Sequence, residues 1–392
     1  MAAGDIQIGI ALPQVFPDGA VDMALIREFV TRAEALGYHS VWVQEQTLGG
    51  TAALEPLDLL NYVSAITETI RLGVSVLVLP LRNPIHLAKR VSTIDQLSSG
   101  RLIVGVGLGG GLSSYPAYGI SPEARVGRFL DSVRVMKALW TEPVVDHEGR
   151  FYRLEGGRME PKPVQKPHPP LWFGGRHPDA LRRAVRHGDG WMGAGSSSIA
   201  DFREQVALIR GYLDESGRDP ATFAVSKRVY LAIDDDEARA ERRLGEWFGH
   251  YYGNSDMASR VSIWGSVDRI TEAVRELQEA GARHLLLNPM FDHGEHLEAL
   301  SQLVRSWAGR QGVPCTHTSP EPDKASLLPS VRTGQCTPAW GRRGRVLIFW
   351  GLRPSGSSTK HLTVSIGVLL TASVVILDSD GTTKRRGKRL SF

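Results

Sequence analysis

Apolar runs and helical stripes alternate along the first 300 residues, and the clearest example begins at Arg71. Residues 74–79 form a run that is apolar on both faces, as expected for a buried strand of a parallel sheet. Apolar residues then recur at helical spacing over 87–97, and a Ser-Gly pair ends that helix. Residues 102–106 form a second buried strand. This order predicts a right-handed crossover between parallel strands.

The same alternation predicts eight strands, centred near residues 8, 41, 76, 104, 172, 191, 228 and 286. Helical patterns cover residues 22–36, 57–69, 87–97, 122–140, 178–187, 198–213, 236–248, 268–280 and 295–307. Eight strand–helix units in about 300 residues predict an α/β fold, the TIM (β/α)8 barrel. Residues 141–169 interrupt the alternation with a hairpin-like turn at 146–150 and a proline-rich exit. We interpret them as an insertion after the fourth helix.

The chain changes character after residue 309, which we take as the boundary between a barrel domain (1–309) and an irregular C-terminal extension (310–392). The extension is rich in Pro, Ser and Gly and carries 13 Lys+Arg against 4 Asp+Glu, a charge of +9, so the barrel domain keeps 4 − 9 = −5. Its longest apolar run, 362–377, is shorter than the roughly 20 residues that a membrane span needs. We expect a poorly ordered extension, with added strands, a helix or a tail anchor as open alternatives.

Charge and cysteine content narrow the function classes of the barrel domain. Its mildly acidic balance argues against nucleic-acid binding. Cys315 and Cys336 both lie in the extension, so the barrel domain has neither a disulfide framework nor a cysteine-based metal site. Residues 6–12 are too short for a signal peptide and lack a basic flank. We therefore expect a cytoplasmic location without membrane contact.

Three motifs between Arg71 and Gly111 carry a family resemblance. They are LP-x-x-NP-x-x-x-A, then DQLS-x-GR, and then a strand that ends in GVG. In this register the chain resembles the bacterial luciferase-like monooxygenase family over about residues 6–305. The resemblance implies a barrel enzyme that binds coenzyme F420 or FMN and acts on a small-molecule substrate. A separate cofactor reductase and a homodimeric assembly are left open.

A glycine-rich segment follows the fourth strand, at the end of the barrel where TIM-barrel active sites lie. Gly107, Leu108 and Gly109 allow a planar cofactor ring to approach the backbone, because glycine has no side chain in the way. A mobile lid or a tight turn without ligand is the alternative. The GxGxxG spacing of residues 105–110 does not indicate a Rossmann site, since no helix opens directly after it.

Two loops in the second half of the barrel are candidates for the cofactor phosphate, since a helix N-terminus attracts anions. The candidate residues are Gly174, Gly175 and Arg176 in the first loop and Gly195, Ser196 and Ser197 in the second. The resemblance supports both loops, because family members anchor the phosphate in this half of the barrel. The alternatives are that Arg176 is a solvated charge and that Ser198 only caps its helix.

The resemblance also implies a bulge in the third strand that supports the flavin ring. Members of the family often have a non-proline cis peptide there, and the matching bond in this chain is Ser75–Val76. We therefore predict that Ser75 and Val76 contact the cofactor.

The end of the second strand departs from the family pattern. Many members have an acidic residue followed by His there, whereas this chain has Glu45 followed by Gln46. We predict both as catalytic residues. Glu45 would act as a general base if burial raised its pKa, and Gln46 is a hydrogen-bonding group without an acid or base form. A solvent-facing carboxylate or a salt bridge is the alternative for Glu45.

These observations favour an oxidoreductase that uses F420 for hydride transfer to or from a small organic substrate. Residues 42–46 and the VLVLPLRNP segment resemble the F420-dependent branch more than the others. The alternatives are an FMN-dependent monooxygenase supplied with reduced flavin and a non-catalytic flavin-binding barrel. We expect the substrate beneath the 141–169 insertion and the loop that carries Tyr115 and Tyr118. No metal site is expected, because His293 and His296 lack a third ligand.

Overall fold

Eight parallel strands close into a barrel in the computed structural model, which describes residues 6–16, 18–308, 362–366 and 372–376. The strands are β1 Gln7–Ala11, β2 Ser40–Val43, β3 Arg71–Val78, β4 Leu102–Gly107, β5 Leu171–Gly174, β6 Gly190–Gly193, β7 Ala224–Ile233 and β8 His284–Pro289. Each strand pairs in parallel with the next, and β8 pairs with β1. The predicted TIM barrel and its eight strand positions are confirmed.

Helices connect the strands on the outside of the barrel. They are α1 Met23–Ala35, α2 Pro56–Ala65, α3 Pro84–Leu97, α4 Arg125–Thr141, α5 Pro178–His187, α6 Ile199–Ser216, α7 Glu237–Tyr252, α8 Met257–Val261, α9 Val267–Ala280 and α10 His293–Ala308, with short 3₁₀ turns at Leu79–Leu81, Leu112–Tyr118, Pro122–Ala124 and Pro220–Thr222. The start of α3 shows how sequence sets these bounds. Asn83 accepts hydrogen bonds from the N–H groups of Ile85 and His86, and Pro84 takes the first helical position, where its missing N–H costs nothing.

Two short elements beside β7 were not predicted. Helix α8 is followed by the strand Ser262–Gly265, which pairs in parallel with the last four residues of β7. A five-residue helix and a four-residue strand are too short to show a clear hydrophobic period. Because β7 is ten residues long, its end extends beyond the barrel and offers an edge for this extra strand.

The insertion lies against the outer helices α3 and α4. Its strands Val145–Glu148 and Arg153–Gly157 form the predicted antiparallel hairpin. The following segment packs on α3, where Ser92 and Gln96 donate to the carbonyls of Pro161 and Lys162 at 2.5 and 2.7 Å. Gln165 then bonds to the first residues of β3 and β4, at the N-terminal end of the barrel. The expectation that this insertion covers a substrate stays a prediction.

A layer of large side chains fills the barrel interior. Trp42 stacks on Trp172 with ring centroids 5.4 Å apart. Beneath this pair His284 bridges the hydroxyls of Ser40 and Ser226, at 3.0 and 2.8 Å. Burial lowers the pKa of His284 well below its usual value, so the neutral ring offers one donor and one acceptor to the two hydroxyls. This layer closes the interior below the C-terminal ends of the strands.

The chain divides into two compact units, Met1–Cys315 and Thr316–Phe392. In the second unit, Leu362–Ile366 and Ala372–Ile376 pair as antiparallel strands, so for these ten residues the alternative of added strands describes the extension. Cys315 and Cys336 lie outside the described residues, and the predicted domain boundary at residue 309 stays a prediction. Within the described part of the chain, no helix has the length and apolarity to cross a membrane.

Candidate active site

A small pocket opens at the C-terminal ends of the barrel strands. Its lining comes from β1, β2, β3, β7 and β8 and from the residues that follow them: Ala11, Leu12, Gln14, Trp42, Val43, Gln44, Ser75, Arg228, Leu286 and Asn288. Gln14 is fixed within this wall, because its amide exchanges hydrogen bonds with the backbone of Gln44 at 2.8 and 2.5 Å. The pocket therefore has an apolar floor and a rim of amide, hydroxyl and guanidinium groups.

The third strand contains the bulge that the family resemblance implied. The pairing of β3 with β4 shifts register between Val74 and Leu77, and the Ser75–Val76 peptide bond is cis. Val76 lies against two of the predicted cofactor glycines. A Cβ atom at Gly107 would come within 2.7 Å of a Val76 methyl, and one at Gly174 within 3.2 Å. These glycines thus make room for the bulge, a reason for glycine that the sequence interpretation did not include.

The glycine-rich segment after β4 is anchored to the barrel. Gly109 has a left-handed backbone with φ of +74°, and a Cβ atom there would lie 2.9 Å from a Val78 methyl. The Leu108 carbonyl accepts a hydrogen bond from the buried Tyr115 hydroxyl at 2.5 Å. Tyr115 therefore holds this loop. A Cβ atom at Gly110 or Gly111 would have no neighbour within 4 Å among the described residues.

Glu45 is almost fully paired in this structure. One carboxylate oxygen accepts the Val78 N–H at 2.5 Å, and the other accepts from the Arg82 guanidinium at 2.6 and 3.0 Å. Only 6% of the Glu45 side chain is exposed, and Arg82 also bonds to Glu55 at 2.8 Å. Glu45 thus joins the end of β2 to the end of the bulged strand, as in the salt-bridge alternative. Its role as a general base stays a prediction.

Gln46, the next residue, differs from Glu45 in its pairing. Its side-chain oxygen Oε1 is buried and has no hydrogen-bond partner among the described residues. An acceptor buried in this way costs free energy unless a ligand or water supplies a donor. The described residues therefore leave the hydrogen-bonding capacity of Gln46 Oε1 unused.

The loop after β6 is held from below by a lysine that sequence reasoning missed. Lys227 Nζ donates to the Ala194 carbonyl, to the Ser197 carbonyl at 2.8 Å and to the Ser197 hydroxyl at 3.1 Å. Burial lowers the pKa of Lys227 to about 7. Because the Ser197 hydroxyl also donates to Ala194, it is already satisfied, and Ser196 is the exposed hydroxyl of this loop.

The two predicted phosphate loops lie close enough to share an electrostatic environment. Ser198 caps α6 and forms a capping box with Asp201, as the sequence indicated. Hydrogen bonds from Ser198 lower the pKa of Asp201, and the charges of Lys227 and Arg176 lower it further. Arg176 itself is exposed, and the preceding Gly175 carbonyl accepts from a tryptophan of β6 at 2.7 Å. Both loops therefore face the same region of the rim.

Arg228 is the second functional candidate that sequence reasoning missed. It is 8% exposed and lies on the pocket side of β7. Its Nη2 donates to Gln44 Oε1 at 2.5 Å. With the amide oxygen of Asn288 turned towards it, the guanidinium also donates to Asn288 from Nε at 3.0 Å and Nη2 at 2.5 Å. The sequence feature that could have pointed to it is a Lys-Arg pair inside a largely apolar strand.

A larger cavity of about 350 Å³ lies on the other face of β7, between α6, α9 and the strand Ser262–Gly265. It contains the cations Arg260 and Arg269 but also the carboxylate of Glu237. Across the described ranges, no group of three or more His, Cys, Asp or Glu side chains could hold a metal ion. His296, for example, uses its ring to accept the Ile233 N–H at 2.8 Å.

Comparison with known proteins agrees with the barrel fold. The family model described as luciferase-like monooxygenase matches residues 6–262. An F420-dependent glucose-6-phosphate dehydrogenase of Kineococcus radiotolerans is 31% identical over 232 residues, which are 57% of this chain and 68% of that protein. An FMNH2-dependent dimethylsulfone monooxygenase of Pseudomonas putida is 27% identical over 59% of this chain and 65% of its own length.

Solved structures show the same fold at lower identity. An F420-dependent secondary alcohol dehydrogenase, in complex with an F420-acetone adduct, superposes with a TM-score of 0.68 at 20% identity, covering 78% of this chain and 99% of that chain. The family resemblance of the motifs between Arg71 and Gly111 is thus confirmed. The chain belongs to the luciferase-like monooxygenase family.

Proposed function

We propose that this chain is an oxidoreductase that uses coenzyme F420 for hydride transfer to or from a small organic substrate. The observation that carries the proposal is the bulge of β3 at Ser75 and Val76 with its neighbouring glycines, at the active-site end of the barrel. The Gln46 oxygen, which has no partner among the described residues, supports it. F420 is favoured over FMN because the F420-dependent relative is the more similar of the two described above.

The residues present fit a ring-shaped cofactor with a phosphate-bearing side chain. The Val76 bulge and the Gly107–Gly109 backbone offer an apolar support for the ring, and Gln46 Oε1 offers an acceptor for a ring N–H. The phosphate group is assigned to the two loops whose members are Gly174, Gly175, Arg176, Gly195, Ser196 and Ser197. Arg176 supplies an exposed cation and Ser196 an exposed hydroxyl for that group.

When bound, F420 supplies the hydride donor or acceptor, and the chain positions it. Glu45 and Arg82 fix the ends of β2 and β3 relative to each other and so hold the bulge in place. Lys227 fixes the loop after β6 from below. The tryptophan layer under the pocket keeps water out of the barrel interior. In this assignment Glu45 and Lys227 are positioning residues.

An FMN-dependent monooxygenase is the second candidate, since the dimethylsulfone monooxygenase relative is of that kind. It would need reduced flavin from a separate reductase and would use the same ring support and phosphate loops. A non-catalytic flavin-binding barrel is the third candidate, and it predicts cofactor binding without turnover for any donor and acceptor pair.

The test is a parallel fluorescence titration of the full chain with F420 and with FMN. We expect F420 to bind at least tenfold more tightly than FMN. Arg176→Ala should weaken F420 binding about tenfold, the value of one charge-assisted contact of roughly 1.4 kcal/mol. Arg186→Ala, at the other end of α5, is the matched control and should leave binding unchanged. Tighter binding of FMN would favour the monooxygenase, and binding of neither by the folded chain would overturn the proposal.

A further inference from the structure

Arg228 is a buried cation whose described partners are all neutral. Its hydrogen bonds go to the side-chain oxygens of Gln44 and Asn288, and its guanidinium carbon lies 4.8 Å from the centre of the Tyr230 ring. Within the described residues no carboxylate forms a salt bridge with it. Removing a cation from water is costly, and amide oxygens solvate the charge without neutralising it. The positive charge of Arg228 therefore remains available at the pocket.

A count of the Arg228 donors shows which nitrogen of the guanidinium has no hydrogen-bond partner among the described residues. A guanidinium carries five N–H groups. Nε and Nη2 together provide three of them, and the bonds to Gln44 and Asn288 use these. Nη1 keeps its two N–H groups, since no described residue accepts a hydrogen bond from it. The amide partners thus hold the guanidinium in place and leave one nitrogen for another molecule.

The location of Arg228 links this spare nitrogen to the proposed reaction site. The same pocket is lined by Ser75 of the bulge and by Trp42 of the interior layer. The register of β7 with β8 places Arg228 opposite Leu286, also a lining residue. An acidic side chain is absent from the pocket lining, so a negatively charged group entering it would meet no like charge.

We propose that Arg228 Nη1 binds an anionic oxygen group of the substrate, a carboxylate in the simplest case, so that this enzyme selects carboxylate-bearing substrates. The inference rests on the proposed function and names the substrate class of that same site. A carboxylate oxygen accepts one or both N–H groups of Nη1, while Gln44 and Asn288 keep the guanidinium plane fixed. Neutral substrates of equal shape lack this contact and bind more weakly.

The bound cofactor is the other source of an anionic oxygen in this pocket. If its ring oxygens accepted the hydrogen bonds of Nη1, Arg228 would contribute to cofactor affinity. Substrate carboxylates would then gain no affinity from Arg228. The two sources therefore differ in which titration responds to a change at Arg228. Cofactor affinity responds in one case and carboxylate affinity in the other.

The experiment is isothermal titration calorimetry of the F420-loaded chain with acetate and benzoate, and with acetamide and benzamide as neutral matches. We expect each carboxylate to bind at least tenfold more tightly than its amide. Arg228→Gln should abolish this preference, Arg228→Lys should retain part of it, and Arg186→Gln should leave it unchanged. F420 affinity, measured by fluorescence, should change less than twofold in Arg228→Gln.

Equal binding of carboxylates and amides by the wild-type chain would overturn the inference, and this comparison needs no variant. Loss of F420 affinity in a folded Arg228→Gln, with carboxylate binding unchanged, would overturn it in favour of the cofactor as the source. If Arg228→Gln does not fold, Arg228→Lys is used instead: a reduced preference supports the inference and an unchanged preference overturns it, since a lysine keeps the charge but lacks the fork that the two amides hold. Carboxylate binding that depends on Arg228 in a chain that does not bind F420 would refute the proposed cofactor and leave the substrate class standing.

Discussion

Lys227 and Arg228 are consecutive buried cations on β7, yet their hydrogen bonding differs. Lys227 faces away from the barrel interior and donates hydrogen bonds to the backbone and hydroxyl oxygens of one loop. Arg228 faces the pocket and keeps one nitrogen unpaired within the described residues. Glu45 and Gln46 repeat the contrast, since both Glu45 oxygens are used and Gln46 Oε1 is not. Burial alone therefore does not separate positioning residues from ligand-binding ones, whereas the remaining hydrogen-bonding capacity does.

The largest effect that this comparison predicts is for Lys227→Met. The change leaves the carbonyls of Ala194 and Ser197 without their charged donor, which lowers the free energy of unfolding by about 3 kcal/mol. The loop after β6 loses its anchor, so F420 affinity falls as well. Urea denaturation and fluorescence titration measure the two effects. A variant as stable as the wild type would show that Lys227 does not hold the loop.

Glu45→Gln is expected to have the next largest effect. A neutral amide removes the charge that pairs with Arg82, but Arg82 keeps Glu55, so the loss is about 2 kcal/mol, less than for a fully broken buried pair. A positioning role predicts lower stability with a modest change in turnover. A general base predicts the opposite, with unchanged stability and turnover reduced roughly 10²–10⁴-fold. Denaturation and steady-state kinetics on the same preparation distinguish the two roles.

The pH dependence of stability sharpens the contrast between the two cations. Burial lowers the pKa of Lys227 to about 7 in the folded chain, whereas an unfolded lysine titrates near 10.4. Between these values the unfolded chain holds a proton that the folded chain lacks, so the free energy of unfolding rises with pH. Relative to Lys227→Met, the wild type should gain about 1 kcal/mol between pH 7 and 8, at most ~1.4 kcal/mol per pH unit. A difference that is flat from pH 7 to 9 would contradict this.

Gln46→Leu should have the smallest effect on stability. The change removes a buried acceptor that has no partner, so the free energy of unfolding changes by no more than about 0.5 kcal/mol. Cofactor affinity should nevertheless fall several-fold, because the ring N–H loses its acceptor. Loss of stability comparable to that of Glu45→Gln would indicate that Gln46 is structural too.

The strands and the longer helices were predictable because their local pattern is strong. Helix α5 was predicted with its observed bounds, since Pro178 opens it and a glycine follows His187. The cis bond at Ser75–Val76 was predicted from the family resemblance, because the neighbouring turn motifs fix the register. The short strand Ser262–Gly265 was missed because it is defined by pairing with β7 and not by its own sequence period.

The chemistry of the site was less predictable, because it depends on contacts between distant parts of the chain. Glu45 and Arg82 are 37 residues apart in sequence, and only the folded strand ends show that they pair. Gly107 and Gly174 flank the predicted bulge, but their contact with Val76 requires the closed barrel. Lys227 and Arg228 looked alike in sequence, and the alternation of strand side chains sends them to opposite faces.

The central distinction is between buried groups whose hydrogen bonds are all made within the protein and buried groups that keep a free donor or acceptor. Its most direct test compares Lys227→Met with Arg228→Gln in one pair of titrations. Each variant is titrated with F420, and the loaded protein is then titrated with benzoate. The account predicts that Lys227→Met weakens F420 binding at least tenfold, while Arg228→Gln keeps F420 affinity within twofold and loses the preference for benzoate over benzamide. If both variants lose F420 affinity equally, or if neither changes either titration, the distinction is wrong.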